Sequence, residues 1–490
     1  MHKLIIHSNK KAQIETEDKL LLHKINNLLS FKQEGVEFSP AYQNGWNGIT
    51  YLMNKRGIFN FPLLPRVERY LQDKNIEYII EDRRPQNKIS EPLDISEVLK
   101  NHDPPLIPRE HQVRILEATN KNDIGIVRAA TASGKTLATA LITAKKNVET
   151  IVFVIGLDLL DQFYELYCSL FGSDKIGYIG NGIIDPKRIT ICSIWTAGKA
   201  LSIKEDKTDE DLFLQEKECD KSSYQKIIDC LKQAKLIFID ECHICTTNTI
   251  AEINKVINPD YIYGFSGTPY RGDNSDLLIN SILGEQIVNI SASELIEKKI
   301  LPMPIIKFIT VPKMSGLSTA QYLSVYKEYI VENEVRNNLV VENVKMLLEK
   351  RYCPLVLFKQ INHGNILYEK MIDAGIKCAL INGNDDLDYR NEMKQRFVDG
   401  DFDALCCSII FDIGINIPKL SAVVLAGGGR SFVRCLQRVG RAGRPLKGKT
   451  HCAIIDFYDQ AKYLKTHSKI RYETYLSEPG FKVIKSKEMK

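Results

Sequence analysis

The sequence predicts an α/β chain in which two tandem parallel-sheet domains follow a small α+β domain. Three observations predict it. From about Arg109 to Gly284, helical patterns alternate with the short apolar runs IGIVRAA, TIVFVIG, RITICSI, KLIFID and YIYGFSG, as a parallel sheet buried under helices on both faces requires. A second series, PLVLFKQ, IKCALING, ALCCSII, AVVLAGG and HCAIIDF, repeats the arrangement between about Pro354 and Phe457. Finally, 490 residues, 44% hydrophobic and 26% charged, are too many for one compact core and too apolar for disorder.

Residues 1–100 read as the small leading domain. LIIHS has the pattern of a strand, EDKLLLHKINNLLSF that of a helix, and GITYLMNKRGIFNFP that of two strands joined at Asn54 to Gly57. The proline-bearing stretch NHDPPLIPRE then marks a linker. The first parallel-sheet domain is expected over 101–300 and the second over 301–490, with a basic tail. The charged insertion IKEDKTDEDLFLQEKECDKSSYQKIIDCLKQ reads as a surface excursion with some helix, and the opening of KFITVPKMSGLSTAQ as a crossing between domains.

A formal charge of +5 is small for this length, so attraction to a polyanion must come from local clusters. Arg430, Arg434, Arg438, Arg441 and Arg444 form one, and Lys482, Lys485, Lys487 and Lys490 another. Twelve cysteines show no repeated spacing and no signal peptide precedes them, which predicts reduced thiols and a cytoplasmic rather than secreted protein. No apolar run approaches the roughly 20 residues of a membrane span.

The chemistry starts at IGIVRAATASGKT, where an apolar strand enters a loop ahead of the helical LATALITAKK. Phosphate binding explains that order. Backbone N–H groups of Thr131, Ala132, Ser133 and Gly134 and the helix N-terminus can cradle an anion, Lys135 can reach the β/γ-phosphates, and the Thr136 hydroxyl can ligate magnesium. Ala129 stands where the generic loop pattern has its first glycine, so support must come from elsewhere. LIFIDECH supplies it: Asp240 can hold the magnesium and Glu241 can orient and deprotonate a water. Either motif alone is compatible with a chance turn or a solvated strand end; both, in order within one α/β domain, are not. QRVGRAGR adds Arg441 and Arg444 as cations able to approach a γ-phosphate, flanked by Gly440 and Gly443. These features call for ATP and Mg2+.

The set AATASGKT, DECH, SGT and QRVGRAGR, in that order, closely resembles motifs I, II, III and VI of superfamily 2 helicases and translocases, and the resemblance spans about residues 105–460. It implies RecA-like domains, the first carrying motifs I to III and the second IV to VI. It further implies that Arg109 and Gln112 read adenine, and that Gln162 (motif Ia) and Ser193 and Thr196 (motif Ib) hold a nucleic-acid backbone. His243, Ser266, Gly267 and Thr268 would couple the two sites. Gly414 and Asn416 would lie near nucleotide, Ser408 near the strand, and Gln437 would face ATP. Ala132 stands where many relatives have glycine, GLDLL replaces PTxxL, and SGT replaces SAT.

FKQEGVEFSPAYQNGWNGITYL is similar to the opening domain of UvsW-type phage helicases, which implies branched DNA as substrate, with Trp46 a candidate to stack on a base. Packing of Trp46 within a tight turn formed by Gly45 and Gly48 is the competing reading. The CxxC of Cys242 and Cys245 lacks a second pair, so no zinc site is expected, and Cys406 and Cys407 suit a buried strand. Two other functions are compatible with the motor motifs: an RNA-remodelling ATPase, and a clamp that binds nucleic acid without turnover.

Overall fold

The computed structural model describes residues 2–32, 36–38, 40–85, 90–203, 219–246, 248–269, 276–313, 321–408, 417, 419–429 and 448–485. The chain divides into two compact units near residue 290, the short segment 130–133 being grouped with the second.

The first unit contains three sheets, the smallest being the antiparallel pair Ser30–Lys32 and Ile49–Tyr51. Another, also amino-terminal, has four strands, in the order Ile58–Asn60, Lys11–Glu15, His2–Ser8 and Tyr78–Asp82. Its helix Lys19–Leu28 begins where the Asp18 carboxylate accepts from the backbone N–H groups of Leu20 and Leu21, a cap that satisfies donors the helix leaves unpaired. Leu21 and Ile25 then face the sheet. The turn expected at Asn54 to Gly57 is present. Asn54 Oδ1 accepts from Arg56 and Ile58, and Gly57 takes φ +74° where a Cβ would strike the Ile14 carbonyl at 2.4 Å.

The largest sheet has eight strands, ordered Ile183–Asp185, Ile176–Gly180, Ile189–Ser193, Thr150–Val154, Leu236–Asp240, Tyr261–Ser266, Ile124–Ala129 and Gln286–Ile290. From Ile176–Gly180 to Ile124–Ala129 every neighbouring pair is parallel. Thr150–Val154 and Leu236–Asp240 are buried along their whole length, which explains why they read as unbroken apolar runs. The edge strands Ile183–Asp185 and Gln286–Ile290 lack such runs and were not legible.

Within this unit the small sheet is docked on the large one at two seams. At the first, the Ser8–Lys11 turn meets the end of the helix Asn248–Val256. Lys10 Nζ donates to the carbonyls of Lys255 (3.1 Å) and Ile257 (2.7 Å), and Asn9 Nδ2 to that of Pro259 (3.3 Å). At the second, Arg69 forms a two-pronged pair with Glu285, and Leu277 joins the apolar core of the small domain.

The second unit holds a seven-stranded sheet, ordered Cys378–Ile381, Ala404–Ser408, Pro354–Phe358, Ala422–Val424, His451–Tyr458, Met303–Thr310 and Lys482–Lys485. All its neighbours are parallel. Two expectations are corrected here. KFIT is no crossing segment but part of the strand Met303–Thr310, and Lys482 and Lys485 lie in an edge strand beside it rather than in a tail. Met303–Thr310 alternates buried and less buried residues instead of presenting an apolar run, so its pattern was weak. Cys406 and Cys407 lie fully buried in Ala404–Ser408. Among the described residues, no helix is long and apolar enough to cross a membrane.

Candidate functional site: a phosphate loop beside paired acids

The strand Ile124–Ala129 delivers the chain to a loop that ends at Gly134, the N-cap of the helix Lys135–Lys146. Two residues of this loop lie in the left-handed region, Gly134 at φ +81° and Ala132 at φ +64°. No side chain caps the helix, so its first-turn N–H groups are left for an anion. A Cβ on Gly134 would come within 2.5 Å of Gln112 Nε2, and that close approach is used: Gln112 Nε2 donates to the Gly134 carbonyl at 3.1 Å. Gln112 Oε1 accepts from the Arg109 backbone N–H at 2.8 Å. The glutamine therefore braces the phosphate loop and caps its own helix, a task that adenine reading alone does not predict. Arg109 itself is exposed.

Parallel pairing puts the end of Leu236–Asp240 next to that of Tyr261–Ser266, and the latter next to Ile124–Ala129. The three motifs thereby meet at the carboxyl ends of their strands, where open α/β sheets bind ligands. Lys135 Nζ donates to Glu241 Oε1 at 3.1 Å and stands 3.6 Å from Asp240 Oδ1. Ser266 Oγ donates to Glu241 Oε2 at 3.0 Å and accepts from the Thr268 N–H at 3.1 Å. His243 Nδ1 lies 3.6 Å from the same Glu241 oxygen. Glu241 itself takes φ +50°, a conformation that a side chain adopts only when its surroundings enforce it.

The charges follow from this geometry. Burial disfavours the Lys135 ammonium, but Glu241 and Asp240 outweigh it and hold its pKa above the ordinary lysine value. Burial likewise opposes ionisation of Glu241, yet Lys135, His243 and the Ser266 hydroxyl bring it down to about 2. Asp240 is raised, first by burial and also by repulsion from Glu241, despite the neighbouring Lys135. Its Oδ1 is buried and has no hydrogen-bond partner among the described residues. A hard oxygen of this kind, beside a helix that offers Thr136 in its first turn, fits a divalent cation carried by phosphate.

The remaining expected residues divide into three groups. Ser193 and Thr196 are buried, and Ser193 Oγ accepts the Thr196 N–H as the cap of the helix Ile194–Ala200. This placement assigns Ser193 a capping task and gives neither residue an exposed face. Ser408 is also buried, whereas Gln162 is half-buried and Trp46 exposed, its indole N–H donating to the Ile49 carbonyl at 3.2 Å. Gly414, Asn416, Gln437, Arg441 and Arg444 lie outside the described residues. Gly267 is joined to the phosphate-loop strand by Arg128, whose Nε donates to its carbonyl at 3.4 Å.

In the second unit, the reading by motif missed a set of buried residues that hold the segment 426–429. Arg336 Nη1 donates to the Ala426 carbonyl, the Tyr326 hydroxyl to Gly427 and Arg471 Nη1 to Gly429, each at 2.7 Å. Both arginines are neutralised by buried acids, Arg336 by Asp459 and Arg471 by Asp456. A signal did exist. Arg336, Val340, Val344 and Leu347 form one helical stripe, as do Leu464, Ser468, Arg471 and Tyr475, so each arginine occupies a core position.

Comparison with known proteins agrees with this arrangement. Residues 2–81 match the family described as DNA helicase UvsW, N-terminal; 105–271 match type III restriction enzyme, res subunit; and 337–445 match the helicase conserved C-terminal domain. The chain is 23% identical to the ATP-dependent DNA helicase uvsW of Enterobacteria phage T4, over 98% of its own length and 95% of the relative's. It is 21% identical to the DNA 3'-5' translocase XPB2 of Sulfurisphaera tokodaii, covering 68% and 77% of the two chains. Among solved structures, that of S. cerevisiae Dbp5 bound to RNA and ADP BeF3 shares the fold with a TM-score of 0.56 at 14% identity, over 80% of this chain and 94% of that one. With a helicase amino-terminal module, two motor domains in sequence and a relative matched end to end, the chain is an ATP-dependent DNA helicase/translocase of superfamily 2, related to the UvsW branch-migration helicases.

Proposed function

We propose that this enzyme uses ATP to unwind or migrate branched DNA, forks and four-way junctions in particular, in replication, recombination or repair. The observation that carries the catalytic part is the single Glu241 carboxylate held between Lys135 and Ser266. Lys135 and the uncapped helix N-terminus bind the β/γ-phosphates, and Thr136 and Asp240 hold Mg2+, which when bound offsets the phosphate charge. Glu241 takes the proton of the attacking water. Its ion pair with Lys135 keeps it a weak base; once Lys135 turns to the phosphates that depression is relieved, so basicity rises only when substrate is in place. Arg441 and Arg444 supply the positive charge that stabilises the transferring phosphoryl group.

DNA as substrate is supported by the amino-terminal match and the relative, both described as DNA helicases, and its branched class by the resemblance of residues 31–52 to UvsW-type helicases; exposed Trp46 supplies an aromatic face for a base. ATP turnover measured side by side with four-way junctions, forks, linear duplex, single strands and RNA tests the reading. Greatest stimulation by branched DNA and loss of turnover in Lys135→Ala are expected. Equal or greater stimulation by RNA would overturn the substrate, and near-normal turnover in the variant would overturn the site.

A further inference from the structure

Glu241 and Ser266 share a hydrogen bond, yet the chain between them makes a long excursion. It passes through a 3-10 turn, Cys242–Thr246, then the helix Asn248–Val256, residues 257–260 and the strand Tyr261–Ser266. The middle of that excursion is gripped by the amino-terminal domain. Lys10 donates to two carbonyls at the carboxyl end of the helix, where the backbone dipole favours a cation. Asn9 takes the Pro259 carbonyl, and its own Oδ1 is fixed by Arg84 Nη1 at 2.8 Å. Lys10 is half-buried, and burial, followed by its neighbour Lys11, lowers its pKa. The contact is thus a half-buried anchor of hydrogen bonds to carbonyls rather than an ion pair.

The helix it anchors has little freedom of its own. Ile250, Ile253 and Ile257 are buried, and Thr249 packs so closely on Gly198 that a Cβ there would lie 2.8 Å from Thr249 Cγ2. The two ends of this excursion lead to Glu241 and to Ser266, which meet in one hydrogen bond. The ion pair of Arg69 with Glu285 lies beyond this excursion in sequence and is made to none of its residues.

We propose that Lys10 and Asn9 are positioning residues for ATP hydrolysis: through the segment 255–259 they set the alignment of Glu241 with Ser266, so that DNA on the amino-terminal domain is felt at the ATP site. This rests on the reading that the amino-terminal domain holds DNA. The test uses full-length protein with a synthetic four-way junction and compares Lys10→Met, Lys10→Arg and Arg69→Ala. In Lys10→Met the ratio of junction-stimulated to unstimulated turnover falls about fivefold, while the half-saturating junction concentration stays within about twofold. Lys10→Arg, which still donates to the carbonyls, restores the ratio, and Arg69→Ala retains it. A wild-type ratio in Lys10→Met overturns the proposal. So does an equal fall in Arg69→Ala, which would reduce the contact to docking, or a failure of Lys10→Arg to rescue. The underlying reading fails separately, by wild-type junction affinity in Trp46→Ala.

Discussion

Ala132 has φ +64° in a loop where a residue with a Cβ is held in the left-handed region at a cost of roughly 1–2 kcal/mol. Glycine avoids that cost but loses roughly 0.5–1 kcal/mol more in unfolded-chain entropy. Ala132→Gly is therefore expected to stabilise the protein by about 0.5–1 kcal/mol, readable in a urea or thermal unfolding curve. His363 makes a second residue-scale case. It is buried against Asn337, with Nε2 3.0 Å from Oδ1, and burial, together with the nearby Arg336, lowers its pKa from 6.5 to about 3. The unfolded chain thus binds a proton below pH 6.5 that the folded chain refuses until about 3. Stability should fall as pH drops through that window, by up to about 1.4 kcal/mol per unit from this group. Urea midpoints at a series of pH values, compared with His363→Gln, isolate the contribution.

At the level of elements, the helix Glu334–Glu349 shows how an apparently misplaced charge becomes structure. Asn333 caps it by accepting the Arg336 N–H, and Arg336 then spends its guanidinium on Asp459 and on the Ala426 carbonyl. Arg336→Ala would leave a buried carboxylate unpaired and should destabilise the second unit by about 3–5 kcal/mol, as a lowered melting temperature would report. Lys would not substitute, since it lacks the planar fork that serves both partners. Parallel strands such as Leu236–Asp240 were legible because burial on both faces imposes an apolar run, and their motifs were legible because phosphate chemistry demands residues in order. Met303–Thr310 and Lys482–Lys485 escaped because their burial alternates or is slight. Gln112 and Ser193 show the limit at single side chains. Their motif positions suggested ligands, but each also closes a local hydrogen bond that only the folded backbone reveals.

For the molecule as a whole, the fold class came from sequence, and so did the meeting of Lys135, Asp240, Glu241 and Ser266, because long-range order in an α/β chain mirrors sequential order: each strand end contributes one motif. What sequence could not supply was the attachment of the amino-terminal domain. The residues responsible, Lys10, Asn9, Arg69 and Leu277, belong to no motif, and their partners lie far along the chain. Leu277 is the telling one, for it belongs to the motor and yet completes the small domain's core. The leading module is consequently not a removable handle on a generic engine. Cutting it away would strip a greasy socket bare, and exchanging it for a foreign module would require recarving both sides of the joint together.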